Sequence, residues 1–386
     1  MTTVALLTIA FGVPLLVVTG IHARVVRFAV QHRIVDHPDF RKLQRVPVPV
    51  LGGVAVFCGQ AAGLLVAACC EPLPTMGLVF AAMLILLLTG LRDDCGGLSP
   101  AFRFAVEGAV VLALIHFGGY CIDNLHGLAG IGALPRWAAV LLTLVAVVGI
   151  INAMNLIDGV NGLSSGFCIM ACTIFGIFFY RVGNRPMLVL AAASTGALIP
   201  FFCHNVFGKR SRMYIGDSGT LVLGLVLALF VCETLRYDSL RQPDERFAMI
   251  PFTLSVMSVP VFDTLRVMTT RCLRGTSPFR PDRTHLHHRL LGIGCSHPTT
   301  TLLVLLLDLG VLAGWWLTAR MGAPVAVQCA AVVGLGLAAT LGVYHFFGYH
   351  LQRDTRLMRR LRRIGRRTHL SRRRLFLVMQ YYIDKI

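Results

Sequence analysis

From Asn152 to Gly166 the chain reads Asn152-Ala153-Met154-Asn155-Leu156-Ile157-Asp158-Gly159-Val160-Asn161-Gly162-Leu163-Ser164-Ser165-Gly166, set between two long apolar runs. Asparagines and a carboxylate at the rim of a hydrophobic segment are costly to desolvate without partners, so the stretch reads as a site rather than a linker. Other acids hold comparable positions: Asp93 and Asp94 end one apolar run, Asp217 precedes another, and Asp263 lies near the end of a third. Each alone has an ordinary reading, as a helix cap for Asp217 in Gly216-Asp217-Ser218-Gly219 or as a solvated rim acid. Five such carboxylates, in a chain with only 18 acidic residues, point to a metal and phosphate site. Closely spaced carboxylates repel unless a cation neutralises them, and hard oxygen ligands suit Mg2+ or Mn2+.

The segment 271–290 carries the opposite charge. Ser277-Pro278-Phe279-Arg280-Pro281-Asp282-Arg283 is followed by Thr284-His285-Leu286-His287-His288-Arg289. Three clustered histidines suit zinc, but without cysteines or a second histidine pair the neighbouring arginines argue for an anion. An ordinary basic loop would account for the arginines and not for the histidines. Pro251 and Pro260 predict a kinked or broken helix just before this loop.

The elements that must carry these residues are membrane spans. The 386 residues are 56% hydrophobic and 14% charged, with a mean hydropathy of +0.72, against about 25% charged in soluble domains. The net charge of +18 lies in short basic blocks between apolar runs, with no nucleic-acid motif. Of the 12 cysteines, Cys58, Cys69, Cys168, Cys172, Cys203, Cys232 and Cys329 fall within apolar runs and none forms a CxxC pair, which excludes a disulfide framework. A span needs about 20 mainly apolar residues, which predicts an all-α polytopic membrane protein of about eleven transmembrane helices. They lie near 3–21, 50–70, 76–91, 103–121, 137–153, 160–180, 186–204, 219–235, 248–268, 300–319 and 323–349. The first is not a signal peptide, because no Lys or Arg precedes it. With the N-terminus outside and the C-terminus in the cytoplasm, the inner segments hold 28 of the 36 Lys and Arg, as the positive-inside rule requires. All five acids then fall on the cytoplasmic side.

Four stretches in order resemble one family: Leu91-Arg92-Asp93-Asp94 with Gly97-Leu98-Ser99-Pro100, the Asn152 stretch, Met213-Tyr214-Ile215-Gly216-Asp217-Ser218-Gly219, and Pro281 to His288. This series resembles the polyprenyl-phosphate N-acetylhexosamine-1-phosphate transferases, glycosyltransferase family 4, in their WecA-like branch, related to MraY. The resemblance runs from about Asp36 to Leu290 and implies transfer of a sugar 1-phosphate from a UDP-N-acetylhexosamine to undecaprenyl phosphate, with release of UMP. GlcNAc-1-phosphate is the expected group, and the product would begin a cell-envelope polysaccharide at the bacterial inner membrane. By the resemblance Asp217 is a magnesium ligand and Asp93 and Asp94 are paired catalytic acids. Asp158, Asn155 and Asn152 face nucleotide and metal, so Asp158 is both a catalytic and a metal residue. His285, His287 and His288, with Asp282 and Arg283, serve the diphosphate and sugar, and Asn205 belongs to the same cleft. Asn161 and Arg103 are expected at the substrate, although they depart from the usual Asp and Lys. Glu107 replaces a common Gln, and Arg103 and Glu107 would pair at i, i+4. In the first inner loop Asp36, Pro38, Arg41 and Lys42 look family-like, while Gln44 replaces a usual His.

Phosphoryl transfer asks mainly for positioning and for neutralisation of oxygen charge. A phosphate monoester is largely dianionic at neutral pH, so direct attack and a covalent phospho-aspartate both remain open. The expected partners are the UDP-sugar, undecaprenyl phosphate and anionic membrane lipids, with no nucleic acid and with a homodimer left open. The transferase domain is expected over 1–349 and a basic amphipathic tail over 350–386. In that tail Leu351, Leu357, Met358, Leu361 and Ile364 recur among eight arginines and predict a helix on the inner leaflet. Asp308 lies midway along a span, where a hydrogen bond to a neighbouring helix or protonation accounts for it. A transporter is the alternative class, although no related halves are visible. A CDP-alcohol phosphotransferase would need an Ala-Arg pair after Asp158-Gly159, which is absent.

Overall fold

The computed structural model describes residues 1–36, 47–240, 247–278, 284–353, 355–367 and 369–385. In hydrocarbon the backbone must satisfy its own polar groups, so the apolar runs fold as helices. These are α1 (Thr3–Gln31), α2 (Gly52–Cys70), α3 (Met76–Gly96), α4 (Pro100–Gly118), α5 (Arg136–Leu156), α6 (Leu163–Val182), α7 (Arg185–Phe207) and α8 (Gly216–Leu240). There follow α9 (Met249–Val256), α10 (Ser258–Leu273), α11 (Leu286–Gly292), α12 (His297–Arg320), α13 (Val325–Leu337), α14 (Val343–Gln352), α15 (Arg356–Arg367) and α16 (Arg374–Ile383). Among the described residues ten helices are long and apolar enough to cross a membrane, or eleven if α9 and α10 form one bent span. The all-α polytopic architecture is as expected. The runs at 76–91 and 137–153 are longer helices than their apolar cores suggest: α3 and α5 each extend to 21 residues and carry Asp93, Asp94, Asn152 and Asn155 in their last turns. Two short antiparallel pairs, β1 (Val35–Asp36) with β2 (Val48–Pro49) and β3 (Asn124–Leu128) with β4 (Ile131–Ala133), were not anticipated.

The chain forms two compact units. The first comprises Met1–Gly118, Ser164–Leu227 and Ser371–Ile386. Its core is the mutual packing of α1, α2 and α7, and the buried Gln60 on α2 donates to Ser194 Oγ on α7 at 2.9 Å. At one end Arg185 pairs with Glu71 at 2.7 Å.

The second unit comprises Gly119–Leu163 and Ala228–Leu370. Here α9 and α10 meet at Met257 with a bend of 74°. Pro260, which has no N–H to offer the carbonyl of Val256, breaks the ladder at this point. The break leaves backbone donors bare, and Asp308 on α12 meets them: its Oδ1 accepts from Ser258 Oγ at 2.8 Å and from the Val259 N–H at 2.9 Å. The acid within the span is therefore a cap for a broken helix, in keeping with the hydrogen bond expected of it. A π-helical turn (Ala338–Gly342) joins α13 to α14.

The basic tail differs from a single lipid-facing helix. It is divided between the end of α14, α15 and α16. Met358 is fully buried, and Leu351 and Leu361 pack with it on a cluster that includes Leu286, Leu290 and Tyr344. Part of the apolar stripe is thus covered by protein. The pattern of the stripe is legible in sequence, but its covering is not.

Candidate functional site

Each unit holds one acidic centre. In the first, Gly216 has a positive φ of 72° and turns the chain into α8. The N-terminal N–H groups of α8 need acceptors, and Asp94, from the last turn of α3, supplies them. Its Oδ1 accepts from the Asp217 N–H at 2.7 Å and its Oδ2 from the Ser218 N–H at 3.0 Å. Asp94, from a distant helix, thus caps α8. The approach is close enough that a Cβ on Gly90 would collide with the backbone of Asp217 and Ser218. Asp94 and Asp217 stand close enough for their charges to interact.

Asp93 faces another way. Its Oδ1 accepts from the Leu98 N–H at 2.6 Å and its Oδ2 meets Arg103 Nη1 at 3.3 Å. Arg103 Nε lies 3.6 Å from the buried Glu107, the i, i+4 pairing expected. Asn205 is buried and donates from Nδ2 to the Met213 carbonyl at 2.8 Å. It thereby steadies the strand-like segment that leads to Asp217, a segment also held by Tyr214 N–H to Pro49 O at 2.8 Å and Gly53 N–H to Ile215 O at 2.7 Å.

The second unit centres on Asp263. Its Oδ1 accepts from Arg266 Nη2 at 2.7 Å and Nε at 3.1 Å, its Oδ2 from His285 Nδ1 at 3.0 Å, and both from the Leu286 N–H that begins α11. Arg266 Nη2 also donates to the Thr284 carbonyl at 2.7 Å, and its guanidinium lies 3.8 Å from the Tyr344 ring. Asp263 thus fixes the protonated nitrogen of His285 as Nδ1 and leaves Nε2 to act elsewhere. His287 is buried, with its ring 5.6 Å from that of His285 and 4.4 Å from that of His288. Burial pushes His287 well below the ordinary imidazole range, and the neighbouring His288 and His285 push the same way. It is neutral at pH 7, and among the described residues its Nε2 has no hydrogen-bond partner.

The central stretch meets this histidine loop. A Cβ on Gly159 would collide with His287 Nε2, so the backbone next to Asp158 can approach the ring only as glycine. Val160 and Leu163 pack with Leu286 and Leu290. Asn161 donates its N–H to His297 Nδ1 at 3.2 Å and accepts at its carbonyl from Thr301 Oγ1 at 3.0 Å. Asn152 is buried and donates to Val148 O at 2.9 Å, while Asn155 and Asp158 are half-buried on the following turns. The structure therefore brings Asn161, Asp158, His285, His287 and His288 into one neighbourhood and gathers Asp94 with Asp217, and Asp93 with Arg103, in the other unit. Asp282 and Arg283 lie outside the described residues, as do Pro38, Arg41, Lys42 and Gln44. Asp263 was among the five acids read from the sequence, but its pairing with His285 was not anticipated, and Arg266, Tyr344 and His297 were not singled out. An arginine three residues after an aspartate inside an apolar run was the available signal.

Among the described residues no group of three or more His, Cys, Asp or Glu is placed to hold a metal ion. A Mg2+ site does not require one, because that ion keeps waters and is commonly held by one or two carboxylates plus phosphate oxygens. Asp217 beside Asp94 fits that donor set, since two adjacent like charges are relieved by a shared cation and carboxylate oxygens that accept N–H bonds retain lone pairs.

Comparison with known proteins follows the same residues. The model of glycosyl transferase family 4 matches residues 76–234, which contain both paired acids, the Asn152 stretch and Asp217. The decaprenyl-phosphate N-acetylglucosaminephosphotransferase of Mycolicibacterium smegmatis is 32% identical over 76% of this chain and 80% of its own length. The undecaprenyl-phosphate alpha-N-acetylglucosaminyl 1-phosphate transferase of Escherichia coli K12 is 27% identical over 88% of this chain and 89% of its own. The decaprenyl-phosphate N-acetylglucosaminephosphotransferase of Mycobacterium tuberculosis H37Rv is 31% identical over 76% and 81%.

Proposed function

The chain belongs to glycosyl transferase family 4, and we propose that it transfers N-acetylglucosamine 1-phosphate from UDP-N-acetylglucosamine to a polyprenyl phosphate, undecaprenyl phosphate in a bacterial plasma membrane. The observation that carries this reading is the 32% identity to an N-acetylglucosaminephosphotransferase across most of both chains. The transporter alternative finds no support in these relatives.

In the proposed reaction an oxygen of the lipid phosphate attacks the phosphorus that bears the sugar. The bond from that phosphorus to the UMP oxygen breaks, and UMP leaves with the electron pair. A bound Mg2+ or Mn2+ would neutralise diphosphate charge, with Asp217 as the ligand favoured by the local donor set and Asp158 retained on sequence grounds. Asp94 holds the head of α8 and so aims Asp217. His285 is oriented through its Nδ1 by Asp263, and its ring is a proposed contact with the diphosphate. Asn152, Asn155 and Asn161 remain the proposed nucleotide and sugar contacts, with His287, His288, Asp282 and Arg283 in the anion-facing loop. Direct in-line displacement is favoured over a phospho-aspartate on Asp93 or Asp94. Both acids already accept two hydrogen bonds or ionic contacts, which lowers their nucleophilicity.

The test is UMP release from radiolabelled UDP-N-acetylglucosamine by the purified chain with undecaprenyl phosphate and magnesium. Formation of lipid diphosphate-sugar, lost on chelation and reduced by at least about a hundredfold in Asp217→Asn, is expected. No turnover by folded protein with any UDP-N-acetylhexosamine would overturn the reading.

A further inference from the structure

A second cationic cluster in the second unit borders the histidine loop and shares Tyr344 with it. A cavity of about 440 Å3 is lined by Arg274 at the end of α10, Arg289 on α11, and Tyr344, His345 and Tyr349 on α14. Among the described residues no Asp or Glu lines it. Arg289 donates from Nη2 to Tyr344 OH at 2.7 Å, and its guanidinium lies 4.4 Å from the ring centroid of Tyr344, to which Arg266 also packs at 3.8 Å. The two guanidinium groups differ in one respect. Arg266 is neutralised by Asp263 at 2.7 Å, whereas among the described residues Arg289 and Arg274 form no ion pair. The Nε of Arg289 is buried and among the described residues has no hydrogen-bond partner.

A buried donor left unmet costs the free energy of its desolvation, and an uncompensated guanidinium adds to that cost. Both are met by an anion that presents several oxygens to a planar fork. Two arginines and an adjacent histidine around one cavity suit phosphate better than a single carboxylate. Beside the cavity Phe346 and Tyr349 are exposed, at 47% and 51%. An exposed tyrosine at the end of a span, here Tyr349, is characteristic of headgroup depth. Arg353 extends the cationic rim, with its Nη1 on Tyr349 OH at 2.8 Å.

We propose that Arg274, Arg289 and His345, gathered around Tyr344, form a binding site for a phosphate group presented at headgroup depth. A membrane phospholipid or free phosphate can present that group, and the two are separable by experiment. The full chain is purified in detergent and its bound lipid counted by native mass spectrometry after addition of phosphatidylglycerol or phosphatidylcholine, with and without millimolar inorganic phosphate. Phosphatidylglycerol retained by the wild type and reduced about tenfold in Arg289→Gln and in Arg274→Gln assigns a lipid headgroup. Arg363→Gln, which removes the same charge from the exposed tail, is expected to leave retention unchanged. Displacement of the lipid by inorganic phosphate in the wild type, and not in the variants, assigns free phosphate as the competent source. Arg274 is exposed at a helix end, so its variant remains informative if Arg289→Gln misfolds. Equal retention by wild type and Arg274→Gln, or an equal loss in Arg363→Gln, overturns the proposal.

Discussion

Asp263 shows how one buried carboxylate can organise a site. It is 2% exposed and takes bonds from Arg266, His285 and the first amide of α11. Removing one partner of a buried ion pair leaves the other charged and unpaired, at about 3–5 kcal/mol. Asp263→Asn is accordingly expected to lower the stability of the detergent-solubilised chain by that order, as measured by thermal or denaturant unfolding. The double change Asp263→Leu with Arg266→Met should cost less than the single one, because it removes both charges. A double variant as unstable as Asp263→Asn would show that the His285 and Leu286 bonds, rather than the ion pair, hold the loop. Asp94 acts in a comparable way on α8, which this side chain from a distant helix caps.

At the level of elements, α16 is bound to the first unit by more than apolar contact. Phe376 meets Phe207 at 5.0 Å, and Asp384 accepts from the N–H groups of Lys209, Arg210 and Ser211 and from Ser211 Oγ at 2.9 to 3.2 Å. Burial alone would raise the Asp384 carboxyl, but the three backbone bonds and the Ser211 hydroxyl outweigh it and hold the group below its ordinary value. A carboxylate with a depressed folded pKa contributes stability that is fully present above the unfolded value, about 3.9, and fades as pH falls through the folded value. Protection of the Lys209 to Ser211 amides, measured relative to their intrinsic exchange rates at each pH, should therefore be high at neutral pH and fall as pH drops below about 4. In Asp384→Asn that acid-dependent loss should vanish because protection is already weak. Full protection in the variant at neutral pH would contradict the latch.

For the whole molecule, the distribution of Lys and Arg predicts which side each loop faces. Cys70, at the end of α2, and Cys95, at the end of α3, are both exposed. With the N-terminus outside, an impermeant maleimide added to intact cells should label Cys70 and not Cys95, each tested in a chain whose other cysteines are replaced. The reverse pattern would invert the proposed orientation and place the acids outside, away from a cytosolic nucleotide sugar.

The membrane class, the span count, the polar rims and the acids and loop histidines of both centres are legible along the chain, because hydrocarbon length and the cost of burying charge act on local sequence. Even the pairing of Arg103 with Glu107 follows from helical spacing. Long-range partnership is not local. That Asp94 caps α8, that Asp308 caps the break before Pro260, and that Asp263 holds His285 depend on helices separated by 123, 49 and 22 residues along the chain. The same limit applies to the tail, whose amphipathic period is plain while the cluster around Met358 that covers it is assembled from distant segments. Sequence spacing specifies which groups need partners, and only packing in three dimensions determines which groups those partners are.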